Sequence, residues 1–370
     1  MLPTDFNIKI LVAPLDWGLG HATRCVPLIK YLVDRGCTVI LAAEGSQKKL
    51  LQLEFPDLIV ESLEGYNISY AKNKNWFSLK IIIQLPKILR AISKEHKWLK
   101  TIVTKQNINA IISDNRYGLW HPTLPVAFIT HQLGIKTSLS KAENIIKKIH
   151  YKLINRFSCC WVPDFEGQPN LAGELSHPKD LPSIPVKYLG AISRFEKNGL
   201  KEEYDAVIIL SGPEPQRSVF ENKILQEIVH YNGKLMLVRG LPGNVSIIPS
   251  VNNIEIVNHL PAKELEIVFE KSKFVISRSG YTTVMDILKL SKKSILIPTP
   301  GQTEQEYLAT HLHKQNWCMM MLQEEFNLQA ALTAAATFKY QHAGINMEMY
   351  KRVLNEFVKE CLQGITELKN

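Results

Sequence analysis

A histidine directly follows two closely spaced glycines in Pro14-Leu-Asp-Trp-Gly18-Leu-Gly20-His21-Ala-Thr-Arg24. The apolar run Ile10-Leu11-Val12 precedes this loop, and Val26, Ile29, Leu32 and Val33 follow at helical spacing until Gly36. Two glycines between a strand and a helix let the backbone approach a ligand closely, and a helix N-terminus favours negative charge. His21 at that point is placed to take a proton, although the same residue also suits an ordinary turn as a helix-capping histidine. No third glycine follows at the spacing of the dinucleotide fingerprint, which argues against a nicotinamide dehydrogenase. Ser113-Asp114-Asn115-Arg116-Tyr117-Gly118 follows another apolar run. Asp114 there either orients or assists His21, or caps the next turn.

The second half of the chain carries three more such elements. In Phe274-Val-Ile-Ser277-Arg278-Ser279-Gly280-Tyr281-Thr282-Thr283-Val-Met-Asp286 a strand ends, the chain turns at Gly280, and a helix starts on two hydroxyl residues. Free N–H groups with the Ser279, Thr282 and Thr283 hydroxyls form a diphosphate cradle that needs no metal. Asp286 falls about one turn into that helix, where a carboxylate accepts two hydrogen bonds from a ribose diol. Serine and threonine are equally common as plain helix caps. Pro298-Thr-Pro300-Gly301-Gln302-Thr303-Glu304-Gln305-Glu306 has the polarity to bind sugar hydroxyls, or is an acidic helix start favoured by the dipole. Leu210-Ser211-Gly212-Pro213 is either a further phosphate site or an ordinary turn between strand and helix.

The elements that must position these residues alternate between strand and helix, and the pattern runs twice. Predicted strands are 8–13, 38–42, 110–112, 126–129 and 159–162 in the first half, then 206–210, 235–238, 254–257, 274–277 and 295–298. Continuous apolar runs rich in Ile and Val predict parallel sheets covered on both faces. The expected organisation is an α/β, two-domain one: residues 1–193, then 205–345, and a C-terminal helix over 346–370 that packs back on the first domain. The polar stretch 194–204 reads as the linker. A length of 370 residues suits two such domains. The first apolar run is too short for a signal-peptide core, and no run is long enough to span a membrane. Six cysteines without C-x-x-C spacing read as reduced, buried thiols.

Ser277 to Asp286 resembles the R-S-G-A-x-T-V-x-E donor motif of glycosyltransferase family 28, the family of the peptidoglycan lipid I N-acetylglucosaminyltransferase. The loop ending in His21 is similar to that family's G-G-x-G-G-H loop. The resemblance implies a GT-B fold, two Rossmann-like domains facing a cleft. It also implies inverting, metal-independent transfer from a UDP-sugar, with no cofactor besides that co-substrate. It places Asp286 at the ribose, where the family has glutamate, and Gln305 and Glu306 at the donor sugar, where the family has two glutamines. Gly190-Ala-Ile-Ser-Arg194 looks like the family's G-N-P-V-R, which puts Arg194 near the donor. His259 and Leu260 correspond to a loop that reads the uracil edge, and His21 to the proposed general base. Ser211, Gly212, Tyr281 and Gln302 complete the expected donor side, and Gly18, Gly20, Arg24 and Asn115 the acceptor side.

The net charge of +9 calls for a polyanionic partner. Lys72, Lys74, Lys80, Lys87, Arg90, Lys94, Lys97 and Lys100 face the single acid Glu95, interleaved with Trp76, Leu89, Ile92 and Trp98. Lys147, Lys148, Lys152 and Arg156 repeat the pattern around Ile149. Basic amphipathic helices of this kind suit an anionic membrane surface, or bury their apolar faces and solvate their lysines. No nucleic-acid motif accompanies them. The expectation is a cytoplasmic, peripheral membrane enzyme of cell-envelope glycan synthesis with a lipid-linked or glycan acceptor. Two other readings stay open: a UDP-sugar 2-epimerase on the same fold, and a non-catalytic nucleotide-sugar-binding protein at the membrane.

Overall fold

The computed structural model describes residues 8–66, 77–135, 140–212, 214–242, 246, 248–250, 253–341 and 346–367. These residues form two compact units, one ending at Ile192 but regaining the chain from Asn346, the other beginning at Ser193.

The first unit is built on a seven-stranded parallel sheet in the order β3-β2-β1-β4-β5-β6-β7. Its strands are β1 Lys9–Pro14, β2 Thr38–Ala43, β3 Ile59–Ser62, β4 Ala110–Asp114, β5 Val126–Ile129, β6 Cys159–Val162 and β7 Val186–Tyr188. The helices α1 (Leu19–Asp34), α2 (Gly45–Glu54), α3 (Phe77–Gln106) and α4 (Ser140–Ile154) connect them. The last helix, α10 (Met349–Glu367), returns to this unit. Phe357 meets Trp161 of β6 edge-on at 5.1 Å, and Lys187 of β7 pairs with Glu356 and Glu360. The second unit carries a six-stranded parallel sheet in the order β10-β9-β8-β11-β12-β13. Its strands are β8 Tyr204–Ile209, β9 Leu235–Val238, β10 Ile254–Val257, β11 Ser272–Ser277, β12 Lys293–Leu296 and β13 Met319–Met320. Around them run α5 (Gln216–Ile228), α6 (Ala262–Glu270), α7 (Tyr281–Lys289), α8 (Thr303–Lys314) and α9 (Leu328–Thr337).

The stretch 194–204 is not a free linker but a strap on the second unit. Phe195 is 1 % exposed against Phe269. The backbone N–H groups of Glu196 and Asn198 donate to Glu266 and Glu270, carboxylates one turn apart on α6, at 2.8 and 2.5 Å. Its backbone N–H groups meet buried acceptors, while the side chains of 196–203 stay exposed.

Glu95, the one acid of the first basic segment, is likewise no surface charge. It is 3 % exposed and pairs at 3.0 Å with Arg116, which is wholly buried. Its other oxygen accepts the Tyr66 hydroxyl at 2.7 Å and the Gly118 N–H at 3.0 Å. Arg116 donates onward to Pro14 O and Glu64 O, so the network grips the end of β1 from beneath. Ile92 and Leu99 of α3 are core residues, while Lys87, Leu89, Arg90 and Lys94 remain exposed. On α4, Lys148, Ile149 and Lys152 are exposed too. Lys72, Lys74 and Trp76 lie outside the described residues, as does the Lys80 side chain.

Removing one member of a buried ion pair leaves the other charge uncompensated, at a cost of about 3–5 kcal/mol. Glu95→Ala should therefore lower stability by that amount in denaturant titration. Lys94→Ala, which breaks an exposed pair with Glu64 at 3.6 Å, should leave the transition where it is.

Candidate active site

Parallel pairing of β1 with β4 sets Pro14 opposite Asp114, so the glycine loop and the turn after β4 leave the sheet at one end. Gly18 caps α1 at φ +77, in the left-handed region where a Cβ is costly. Gly20 and His21 lie in the first turn of α1, and Arg24 comes one turn after. His21 Nδ1 is 3.1 Å from Asp114 Oδ2 and 2.9 Å from Arg24 Nη2. Arg24 Nε donates to Asp114 Oδ2 at 2.9 Å, and Nη2 donates to Oδ1. Its Nη1 lies 3.1 Å from His131 Nδ1. Asp114 is wholly buried, while the His21 side chain keeps 13 % of its surface.

Burial by itself would raise the Asp114 carboxyl. The Arg24 charge, His21 and their hydrogen bonds outweigh it and hold the group below the usual carboxylate range. For His21 burial is the largest influence and lowers the imidazole below 6.5; Asp114 pulls upward and Arg24 presses it down again. Such a histidine is neutral at pH 7. In the tautomer that gives its Nδ1–H to Asp114, Nε2 carries a lone pair that can accept a proton from a hydroxyl group.

Of the two roles open to Asp114, the bond to His21 is the one present. Arg24, expected on the acceptor side, is buried against Asp114, because a carboxylate at a buried strand end needs a counter-charge. Asn115 turns the chain at φ +56 and donates its N–H to Ile129 O. The expectation missed His131; its signal was the polar triplet Thr130-His131-Gln132 directly after the apolar run of β5.

In the second unit β8, β11 and β12 are neighbours, and their carboxyl ends carry the three polar loops. Asp286, in the second turn of α7, is 6 % exposed and accepts the Ser193 hydroxyl at 2.5 Å. Burial raises its carboxyl to about 7, against the Ser193 hydrogen bond and the Arg194 charge. Partial burial, and after it the Arg194 charge, lowers the His259 imidazole. Leu260, the next residue, is buried. Ser193 was not foreseen, although it directly precedes Arg194.

The residues expected to form a phosphate cradle lie around the start of α7. Ser279 donates its hydroxyl proton to Gln305 O at 2.8 Å. Tyr281 is buried, Thr282 and Thr283 are half-buried, and Gly280 caps α7 without a side-chain hydrogen bond. Ser211 and Gly212 are exposed after β8, with Gly212 at φ +102. Gln302 is the N-cap of α8. Gln305 Oε1 accepts Thr299 N–H at 2.9 Å and Glu306 Oε1 accepts Gly301 N–H at 2.8 Å, so each commits one oxygen to bracing its own loop.

Residues 243–363 match the family model of the glycosyltransferase family 28 C-terminal domain. The chain is 24% identical over 334 residues to a UDP-N-acetylglucosamine--N-acetylmuramyl-(pentapeptide) pyrophosphoryl-undecaprenol N-acetylglucosamine transferase of Clostridium perfringens (strain SM101 / Type A), with 85% of each chain covered. Among solved structures, the glycosyltransferase SnogD from Streptomyces nogalater superposes with a TM-score of 0.61 at 12% identity, over 98% of this chain and 99% of that one. MurG of Acinetobacter baumannii gives 0.53 at 12% identity, over 98% and 99%. The shared fold is GT-B.

In an NMR titration the His21 imidazole should titrate below 6.5. Asp114→Asn should lower it further, because the carboxylate is what raises it; an upward shift in that variant would contradict the assignment.

Proposed function

We propose that the chain, which matches the glycosyltransferase family 28 C-terminal domain over residues 243–363 and has a GT-B fold, moves a hexose or N-acetylhexosamine from a UDP-sugar to a lipid-linked or glycan acceptor, with inversion and without a metal. The observation that carries this reading is the buried Asp286 of α7, which accepts the hydroxyl of Ser193, the residue before Arg194, on a helix whose N-cap Gly280 makes no side-chain cap hydrogen bond. A buried carboxylate suits a ribose diol, and the α7 N–H groups with Thr282 and Thr283 suit a diphosphate. On the other unit, His21 Nε2 takes the proton of the acceptor hydroxyl. The acceptor oxygen bonds to the anomeric carbon as the bond from that carbon to the β-phosphate oxygen breaks, and UDP leaves with the electron pair. Gln302, Gln305 and Glu306 are the donor-sugar candidates.

The relative's name gives a UDP-sugar donor and a pyrophosphoryl-undecaprenol-linked acceptor, which supports a lipid-linked acceptor here. Exposed Leu89 and Ile149, set among Lys87, Arg90, Lys148 and Lys152, support docking on an anionic membrane at its cytoplasmic face. No described helix is long and apolar enough to cross one.

Incubating the enzyme with UDP-sugars, a lipid extract and EDTA should yield UDP and a lipid product heavier by one sugar, read by mass spectrometry. A sugar epimerised without any acceptor would overturn the reading. Uridine affinity provides a second check, since uridine carries no titrating phosphate. The ribose donates to the ionised form of Asp286, so affinity should rise as pH passes upward through about 7 and fall below it. Asp286→Asn should lose the charge-assisted contact, about 1.5–3 kcal/mol, and with it the pH dependence.

A further inference from the structure

Five arginines are buried among the described residues: Arg24, Arg116, Arg217, Arg239 and Arg278. Four meet a carboxylate. Arg24 pairs with Asp114, Arg116 with Glu95, and both Arg217 and Arg239 with Glu221. Arg278, at the end of β11 and 1 % exposed, pairs with no carboxylate among the described residues. Its Nη1 donates to Ile297 O at 3.2 Å and Pro298 O at 3.3 Å. Its Nη2 donates to Gln216 O at 3.1 Å and Gln323 Oε1 at 2.6 Å, and its Cζ lies 4.5 Å over the Phe220 ring. Every one of these partners is neutral. Burial lowers its pKa to about 10, so the group stays charged at neutral pH. A bare buried cation is costly, and a fold that pairs its other buried arginines has an unmet positive charge at this one place.

The place matters. Gln216 opens α5 after the Ser211-Gly212 loop, and Ile297 and Pro298 lead into the loop before α8. The guanidinium thus holds both loops against the end of β11. The next residue after Pro298 supplies an independent observation. Thr299 is 2 % exposed, and its Oγ1 has no hydrogen-bond partner. A Cβ built on Gly212 would come 3.8 Å from that oxygen, so the orphaned hydroxyl faces the glycine of the first loop.

We propose that Thr299 donates its hydroxyl to an oxygen of the donor's diphosphate, and that Arg278 acts behind it as a positioning residue, bracing the loops and supplying the positive field the diphosphate neutralises. This rests on the nucleotide-sugar reading above and names two residues that reading does not use. The anion offsets a charge that the protein's own described residues leave unpaired, and a phosphate oxygen accepts the hydrogen bond that Thr299 Oγ1 gives to no protein group.

The test compares calorimetric affinities of the full chain for uridine diphosphate and for uridine at pH 8. Wild type should bind the diphosphate more tightly. Thr299→Val, nearly the same shape, should lose about tenfold in diphosphate affinity with uridine unchanged. Arg278→Met should lose about ten- to hundredfold, again for the diphosphate only, and Arg278→Lys should recover most of it. Variants that bind the diphosphate like wild type, or that lose uridine and diphosphate alike, would overturn the proposal. Should Arg278→Met fail to fold, undiminished diphosphate affinity in Thr299→Val still overturns it. A wild type that binds uridine and its diphosphate equally well overturns this inference alone. A wild type that binds neither removes the nucleotide-sugar reading and this inference with it.

Discussion

A carboxylate with no exposed surface, at the end of a central strand, is the constraint on which the first unit's site depends. Asp114 cannot stay ionised there without compensation, and the compensation comes from Arg24, one turn into α1. Because β1 and β4 pair with Pro14 opposite Asp114, the helix after β1 starts within reach of that carboxylate. Arg24 fixes the helix by its bonds to both oxygens, and His21, one turn earlier on the same helix, is carried to Asp114 with it. The same guanidinium offsets the pull of Asp114 on His21, which leaves burial to keep the imidazole neutral. One ion pair thus sets the position and the protonation state of the proposed base.

The glycine loop needs support from beneath, because its backbone conformation is not held by a regular element. Gln47 of α2 donates to Leu15 O and, at 2.7 Å, to Gly18 O. Asp16 accepts the Tyr66 N–H at 3.0 Å, and Arg116 accounts for Pro14 O. In this unit Asp114 and Glu95 are each buried against an arginine, while Asp164 is held by backbone N–H groups and the Ser176 hydroxyl. In the second unit Asp286 has a hydroxyl partner and a raised carboxyl, and Arg278 has only neutral acceptors.

The central strands were legible because each is an apolar run buried on both faces, as β4, β5 and β6 are throughout. The strands missed, β3, β7 and β13, all lie at sheet edges. Edge strands are short and half solvated, so Ile59-Val-Glu-Ser62 and Val186-Lys-Tyr188 carry no continuous apolar signal. The strap at 194–204 read as a linker because the acceptors of its N–H groups, Glu266 and Glu270, lie about seventy residues away. Glu95 looked like a lone surface acid for the same reason, with Arg116 on another element. Residue types and spacing put His21, Asp114 and Asp286 on the page, and the family resemblance added Arg194. The partners that set their chemistry, Arg24, His131 and Ser193, follow from the fold's register and burial, which local pattern does not encode.

The claim at the centre is that His21, held neutral beside the Asp114–Arg24 pair, is the general base of sugar transfer. The measurement that tests it most directly is the transfer rate of His21→Gln together with its affinity for uridine diphosphate. Loss of a general base should lower kcat/KM for transfer by about 10²–10⁴, with diphosphate affinity unchanged because the proposed nucleotide residues belong to the other unit. Transfer at the wild-type rate in that variant would contradict the account.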